Sequence, residues 1–355
     1  MQLSIPSDAV AEATAVPRKR ELPFTLQDLK AAIPGYCFEP SSFKSLAYFL
    51  RDVGIISGLY ALAAYINSWW FFPLFWFAQG TMFWALFVVG HDCGHGSFSK
   101  HKWLNNIIGH LAHSPILVPY HGWRISHRTH HANTGNVDTD ESWHPVSKSE
   151  YDGMHWSVKF VRFQAFLLAY PIYLFVRSHN RNGSHFLPSS PIFRPSEKWD
   201  VIVSTLCWGL MVAFLGWLGV QFGLLFVVKF YLMPYIVFVV WLDLVTYLHH
   251  TVPEIPWYRN DNWYFLKGAL STIDHDYGVI NDIHHNIGTH VAHHIFSTIP
   301  HYHLKTATEA IKPLLGDYYR VSNESIWTLL WRSVRTCHYI PDSGQTVYYQ
   351  PSQPQ

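Results

Sequence analysis

From residue 53 to residue 90 the chain carries no Asp, Glu, Lys or Arg, and a second uncharged run extends from 201 to 228. Runs of this kind restrict a chain more than any motif. A helix of about 20 apolar residues is about 30 Å long and spans the hydrocarbon of a bilayer. With their flanks, the runs hold four such helices. We place them at about 46–66, with Arg51 and Asp52 near its entry, and at about 69–90, 201–222 and 224–248, with Lys229 snorkelling near the start of the fourth. The turns around Asn67 and Ser68 and around Gln221, Phe222 and Gly223 are short, so each pair of helices reads as a hairpin. Composition agrees: hydrophobic residues make up 49% and charged ones 14%, against about 25% charged in soluble domains. Neither hairpin tip bears Lys or Arg. Arg18, Lys19, Arg20, Lys100, Lys102, Arg124, Arg128 and Lys305 all fall on the other side, which the positive-inside rule makes cytoplasmic. The expected fold is an all-α polytopic membrane protein, with four transmembrane helices in two hairpins and a cytoplasmic helical cap.

The rest of the chain is read around that frame. Residues 1–22 are polar and form a disordered tail without the apolar core of a secretory signal. Residues 23–45 form an amphipathic cap segment, with a short helix over 24–33 that Thr25 starts and Pro34 stops. Residues 46–349 form the membrane domain and 350–355 a C-terminal tail. The apolar patch 166–176, interrupted by Pro171, is too short to span and reads as interfacial or buried helix. A net charge of +1 offers no field to recruit nucleic acid. Cys37, Cys93, Cys207 and Cys337 are isolated, which fits a reducing compartment.

The 24 histidines are the second constraint. Three clusters fall on the expected cytoplasmic side: His91 and His95; His127, His130 and His131; and His290, His293 and His294. Histidines three and four apart on a helix share a face, so each cluster aims imidazoles at one point. One metal ion takes about four ligands, and eight imidazoles suit two ions; imidazole alone does not choose among Zn, Cu, Fe and Ni. His250, directly after the fourth helix, and His285, shortly before the third cluster, are placed to join. The remaining histidines, among them His110, His113, His121, His185, His301 and His303, read singly as interfacial residues.

Several charged residues lie close to the clusters. Asp243, inside the fourth helix, is costly there and a functional candidate; it either orients a ligand such as His250 or makes a hydrogen bond between helices. Asp140 and Glu141 after the second cluster are candidate supports for its ligands, while Asp138 reads as solvated loop and Asp92 as structural support. Arg124 and Arg128 flank the second cluster and either hold a phosphate or an acidic partner or serve the surface.

The three motifs HDCGH, HRTHH and HVAHH resemble the histidine boxes of the membrane fatty-acid desaturases. The resemblance runs from about Leu22 to about Tyr349. VPYHGWRISHRTHH followed by DESWHP, WLDLVTYLHHT, DYGVINDIHHNIGTHVAHHIF and IPHYHLKTATEAIKP are similar to the omega-3 (Δ15) acyl-lipid branch of cyanobacteria and plastids. The family resemblance implies a centre of two non-haem iron ions held by the eight box histidines, with His250 as an added ligand and His285 at a further matching position. It also implies O₂ as co-substrate and an external electron donor, and the reaction inserts a cis double bond into an already unsaturated acyl chain of a membrane glycerolipid. Because no fused HPGG haem motif and no long Ser/Arg-rich leader are seen, the resemblance points to the cyanobacterial form in a plasma or thylakoid membrane. Ferredoxin is then the expected donor and cytochrome b5 the alternative. A Δ12 desaturase or a hydroxylase would use the same boxes. A membrane metal transporter or sensor is the alternative of another class, against which the uncharged runs weigh, since ion pathways need ionisable residues in the membrane.

Overall fold

The computed structural model describes residues 22–163, 166–177 and 182–352; the expected N-terminal tail, with Arg18, Lys19 and Arg20, lies outside them except for Leu22. Among the described residues the protein is mostly helical, and four helices are long and apolar enough to cross a membrane: Ser42–Ile66, Phe72–His95, Pro195–Phe222 and Leu224–His250. Four two-residue strands accompany them. Trp257–Tyr258 pairs antiparallel with Thr346–Val347, and Asp274–His275 pairs parallel with Val321–Ser322.

The helices begin and end where local chemistry allows. Ser41 caps the first by accepting the Lys44 N–H at 3.3 Å, so it starts four residues earlier than the hydropathy suggested. Asn67, at φ 38°, closes it. The second helix does not stop at Gly90, as the apolar run implied, but continues to His95. Gly96 ends it at φ 75°, a left-handed conformation in which glycine has no side-chain penalty. The first histidine pair is therefore the last turn of a spanning helix rather than a loop after it. The fourth span is not uniformly α-helical: residues Val228–Leu232 form a π-turn just before Pro234. Pro234 has no N–H to donate, and a wider turn accommodates the ring and the missing bond.

The second and fourth spans form the centre of the main core, where Trp84, Phe87, Phe238 and Leu248 are buried together. The N-terminal helix, Leu26–Ala32, is closed at its start by a reciprocal capping box between Thr25 and Asp28. It does not merely rest on the protein. Phe24, Leu29, Ile33 and Cys37 are buried in a second core with Val291, Ala292 and Ile295, so the cap segment backs the helix of the third histidine cluster. At the other end, Gln350 is tied to Tyr339 by a backbone bond of 2.7 Å, so the expected C-terminal tail is anchored at its first residue.

One close approach fixes the helix Tyr120–Asn133, which bears the second cluster. A Cβ on Gly122 would lie 2.1 Å from the carbonyl oxygen of His185. Backbone cannot yield as a flexible side chain would, so Gly122→Ala is expected to destabilise the protein by about 3 kcal/mol or displace this helix. Thermal unfolding in detergent measures the first effect, and a variant as stable as the wild type would contradict it.

Candidate metal centre

Four separate helices deliver the histidines. His91 and His95 end the second span, His127, His130 and His131 lie on Tyr120–Asn133, His250 ends the fourth span, and His290, His293 and His294 lie on the short helix His290–Ile295. Their nitrogens converge into two groups. His91, His95, His127, His131 and His293 offer ligand atoms all within 4.8 Å of one another, and so do His130, His250 and His294. His290 adjoins the second group, its Nε2 2.9 Å from His250 Nε2 and 3.0 Å from His294 Nε2. The two groups touch where the rings of His131 and His294 stack at 4.0 Å.

The HxxHH spacing explains this division. Positions i and i+4 share a helix face while adjacent residues diverge. His127 and His131 therefore face one group and His130 the other; likewise His293 joins the first group while His290 and His294 face the second. A doubled histidine serves two sites rather than one.

The donor set fits metal ions. Among the described residues, His95 Nε2 and His293 Nε2 are buried without a hydrogen-bond partner, a costly state unless a cation uses the lone pair. Burial first, and the neighbouring imidazoles second, hold His127, His131, His290, His293 and His294 well below the ordinary histidine range. The rings are thus neutral, the form that ligates. The sign of the pH dependence follows. Their folded pKa values are depressed, so the unfolded chain binds more protons, and stability falls with pH below about 6.5. The metal-free protein is expected to melt lower at pH 5.5 than at pH 8; the reverse order would contradict neutral burial.

Outer partners orient the rings. Thr134 Oγ1 donates to the His130 carbonyl at 2.8 Å, so its oxygen is left to accept from His294 Nδ1 at 3.1 Å; that bond leaves His294 Nε2 free to ligate. His130 Nδ1 donates to the buried Asp140 at 2.7 Å. His91 Nδ1 donates to Asp92 Oδ1 at 3.3 Å, and Asp92 Oδ2 accepts from His301 Nδ1 at 3.0 Å. Asp92 and His301, read from the sequence as structural and interfacial, thus stand directly behind a clustered histidine. His249 was not singled out by sequence. Its Nδ1 donates to the Ile273 carbonyl at 2.6 Å, its Nε2 accepts from Tyr277, and its ring stacks on His290 at 4.3 Å. With both nitrogens hydrogen-bonded, it backs His290 from outside the two groups; its position in the His249–His250 doublet is the only signal it leaves in the sequence.

Four sequence readings are corrected or narrowed. His285 stands outside both groups. It sits in a left-handed turn at φ 53°, and its Nε2 pairs with the buried Asp52 at 2.6 Å. His285→Ala is therefore expected to leave metal content unchanged while lowering stability by about 1–3 kcal/mol, because it removes the partner of Asp52 Oδ2 while Arg51 still holds Oδ1 at 2.8 Å; loss of metal without loss of stability would restore it as a ligand. Asp243 accepts the backbone N–H of Tyr170 at 3.2 Å. Of its two readings, the bond between segments is the one formed. Glu141 pairs with Arg177, whose Nε donates at 2.8 Å. Asp138 is exposed. Arg124 and Arg128 bond Asp200 and Glu197, tying the second-cluster helix to the start of the third span.

A cavity of about 600 Å³ opens against both histidine groups. His91, His127, His130, His250 and His290 form one wall, and Trp84, Phe87, Phe166, Tyr170 and Tyr247 line its largely apolar remainder. The 166–176 patch, resolved into the turns Phe166–Leu168 and Tyr170–Phe175, supplies part of that lining.

A family model described as fatty acid desaturase matches residues 67–325, and one described as a domain of unknown function matches residues 11–61. The chain is 68% identical over 334 residues to a protein of Synechocystis sp. named sn-1 acyl-lipid omega-3 desaturase (ferredoxin), covering 94% of this chain and 93% of that one. A protein of the same name from Nostoc sp. is 65% identical, with 93% and 92% covered. The sn-2 acyl-lipid omega-3 desaturase (ferredoxin), chloroplastic, of Arabidopsis thaliana is 53% identical, with 92% of this chain and 76% of that one covered.

Proposed function

The chain belongs to the fatty acid desaturase family, and from that premise we propose that it is an omega-3 acyl-lipid desaturase. The observation that carries this reading is the apolar cavity lying directly against both histidine groups. A chain of methylenes has no group for an acid, base or nucleophile to act on, so a metal and O₂ must supply the oxidant. When bound, two iron ions reduced by an external donor supply that oxidising power. His91, His95, His127, His131 and His293 would hold one ion, and His130, His250, His290 and His294 the other. The protein's own work is placement. Each methylene buried in the cavity contributes about 0.8 kcal/mol, and that energy holds one carbon pair beside the histidines. Trp84, Phe87 and Val88 lie one and two turns below His91 on the same helix and line the cavity there, so they limit how far a methyl end can pass the histidines.

Membrane placement follows the same reading. Two hairpins bring the four histidine-bearing helix ends to one side of the bilayer, the cytoplasmic side of a plasma or thylakoid membrane. The greater identity to the two sn-1 relatives favours a substrate acylated at the sn-1 position, with a ferredoxin as donor. The test is expression in a host whose lipids carry linoleoyl chains, followed by fatty-acid analysis. A new trienoic acid at sn-1 is expected, with iron bound at both histidine groups. Linoleate made from oleate, or a hydroxy acid, would overturn the assignment.

A further inference from the structure

We propose that an acidic one-electron carrier protein docks on the face formed by Lys44, Tyr48, Arg51 and Tyr302, and that its electrons reach the metal centre along Tyr48, His301, Asp92 and His91. The proposal rests on the desaturase reading above and assigns where its reductant enters.

Four side chains form a sandwich at the start of the first span. The rings of Tyr48 and Tyr302 stack at 6.0 Å with an interplanar angle of 7°. Lys44 Nζ lies 4.2 Å from the centre of the Tyr302 ring and the Arg51 guanidinium 5.0 Å from that of Tyr48. Lys44, Tyr48 and Arg51 recur at i, i+4 and i+7, one helix face. Lys44 and Lys102 are exposed, and among the described residues no carboxylate pairs with either. Lys102 follows three residues after Ser99, which bonds Ser42 at the start of the first span at 2.7 Å. Two unpaired lysines beside a half-buried aromatic pair, with Arg51 held by Asp52 at 2.8 Å, attract an acidic surface and raise its rate of encounter.

Behind the sandwich lies an unbroken line of contacts. The Tyr48 ring meets the His301 ring at 4.7 Å. His301 donates to Asp92 from both Nδ1, at 3.0 Å, and its backbone N–H, at 3.2 Å. Asp92 accepts from His91 Nδ1 at 3.3 Å. Surface and centre are thus joined through one tyrosine and three hydrogen-bonded groups. The chemistry needs such an entry. Each turnover takes two hydrogens from the acyl chain, consumes O₂, two protons and two electrons, and releases two waters; two carriers are each oxidised by one electron.

The test compares two reductants, ferredoxin and reduced methyl viologen, with the full chain in phosphatidylcholine vesicles with or without phosphatidylglycerol. Lys44→Glu is expected to weaken ferredoxin binding to the vesicle-bound protein about tenfold, read as Kd by cosedimentation, to raise KM for ferredoxin likewise and to flatten its salt dependence, with kcat and methyl viologen-driven turnover unchanged; Lys44→Arg restores Kd and KM. Tyr48→Leu lowers kcat with saturating ferredoxin alone, and Tyr48→Phe, which keeps the ring, restores it. An unchanged KM in Lys44→Glu overturns the docking face. Equal losses with both reductants show a structural role, and a loss that follows phosphatidylglycerol content with either reductant shows a lipid headgroup site; both overturn the proposal. If the wild type makes no trienoic acid with either reductant, the desaturase reading fails and the proposal falls with it.

Discussion

Replacing His293 by alanine is expected to abolish desaturation while the protein still folds and inserts. His293 is the single residue of the third cluster in the five-histidine group. Its ring lies 4.7 Å from that of His91, 4.9 Å from His95 and 4.7 Å from His131, so it faces the other four from the far side of the chain. Among the described residues its Nε2 is buried with no hydrogen-bond partner, and alanine therefore breaks no hydrogen bond to them at that atom. What is lost is a lone pair at the point where the other four converge. Loss of an outer partner alone costs about 10–100-fold in metal affinity or activity, and loss of the ligand itself is expected to exceed about a hundredfold. Membrane fractionation, metal content per chain and fatty-acid analysis make the measurement. Turnover within a few-fold of wild type would remove His293 from the centre.

The sequence exposed the helical elements and the histidines that cluster because both are periodic. Uncharged runs mark the four spans, and spacings of three and four place His91 with His95 and His127 with His131 on common faces. Tertiary partners leave no such trace. His285 was grouped with the third cluster by proximity in sequence, yet its partner Asp52 is 233 residues away and the turn at 285 sends its ring elsewhere. Asp92 and His301 are 209 residues apart, so neither could be recognised as the other's neighbour. The doubled histidines were legible as ligands but not as ligands of different groups, although the 100° step between adjacent helical residues contains that information. The end of the second span was misplaced for a related reason. Hydropathy stops at Gly90, but hydrogen bonding continues to His95 because no residue before Gly96 ends the helix.

The second large effect is expected at Asp140, which stands behind the clustered His130. Its carboxylate is fully buried and accepts four bonds: His130 Nδ1 at 2.7 Å, and the backbone N–H groups of Gly135 at 3.2 Å, Ser142 at 3.2 Å and Trp143 at 3.1 Å. The first bond fixes the tautomer and direction of His130, so that Nε2 carries the free lone pair toward His250 and His294. The other three hold the loop that places Trp143, whose ring stacks on His250 at 5.7 Å and lines the cavity. Asp140→Ala removes both functions and leaves buried N–H groups that each cost about 1–3 kcal/mol. Asparagine does not rescue it, because an amide nitrogen would then face a donor at either His130 or Gly135. Both variants are expected to lose the metal of the His130, His250 and His294 group, with affinity down about 10–100-fold, before that of the five-histidine group. Metal content should therefore fall stepwise from two ions to one as a chelator is raised, with activity lost at the first step. Simultaneous loss of both ions would mean that Asp140 supports the fold as a whole. Wild-type retention of both would mean that His130 is oriented by its helix alone.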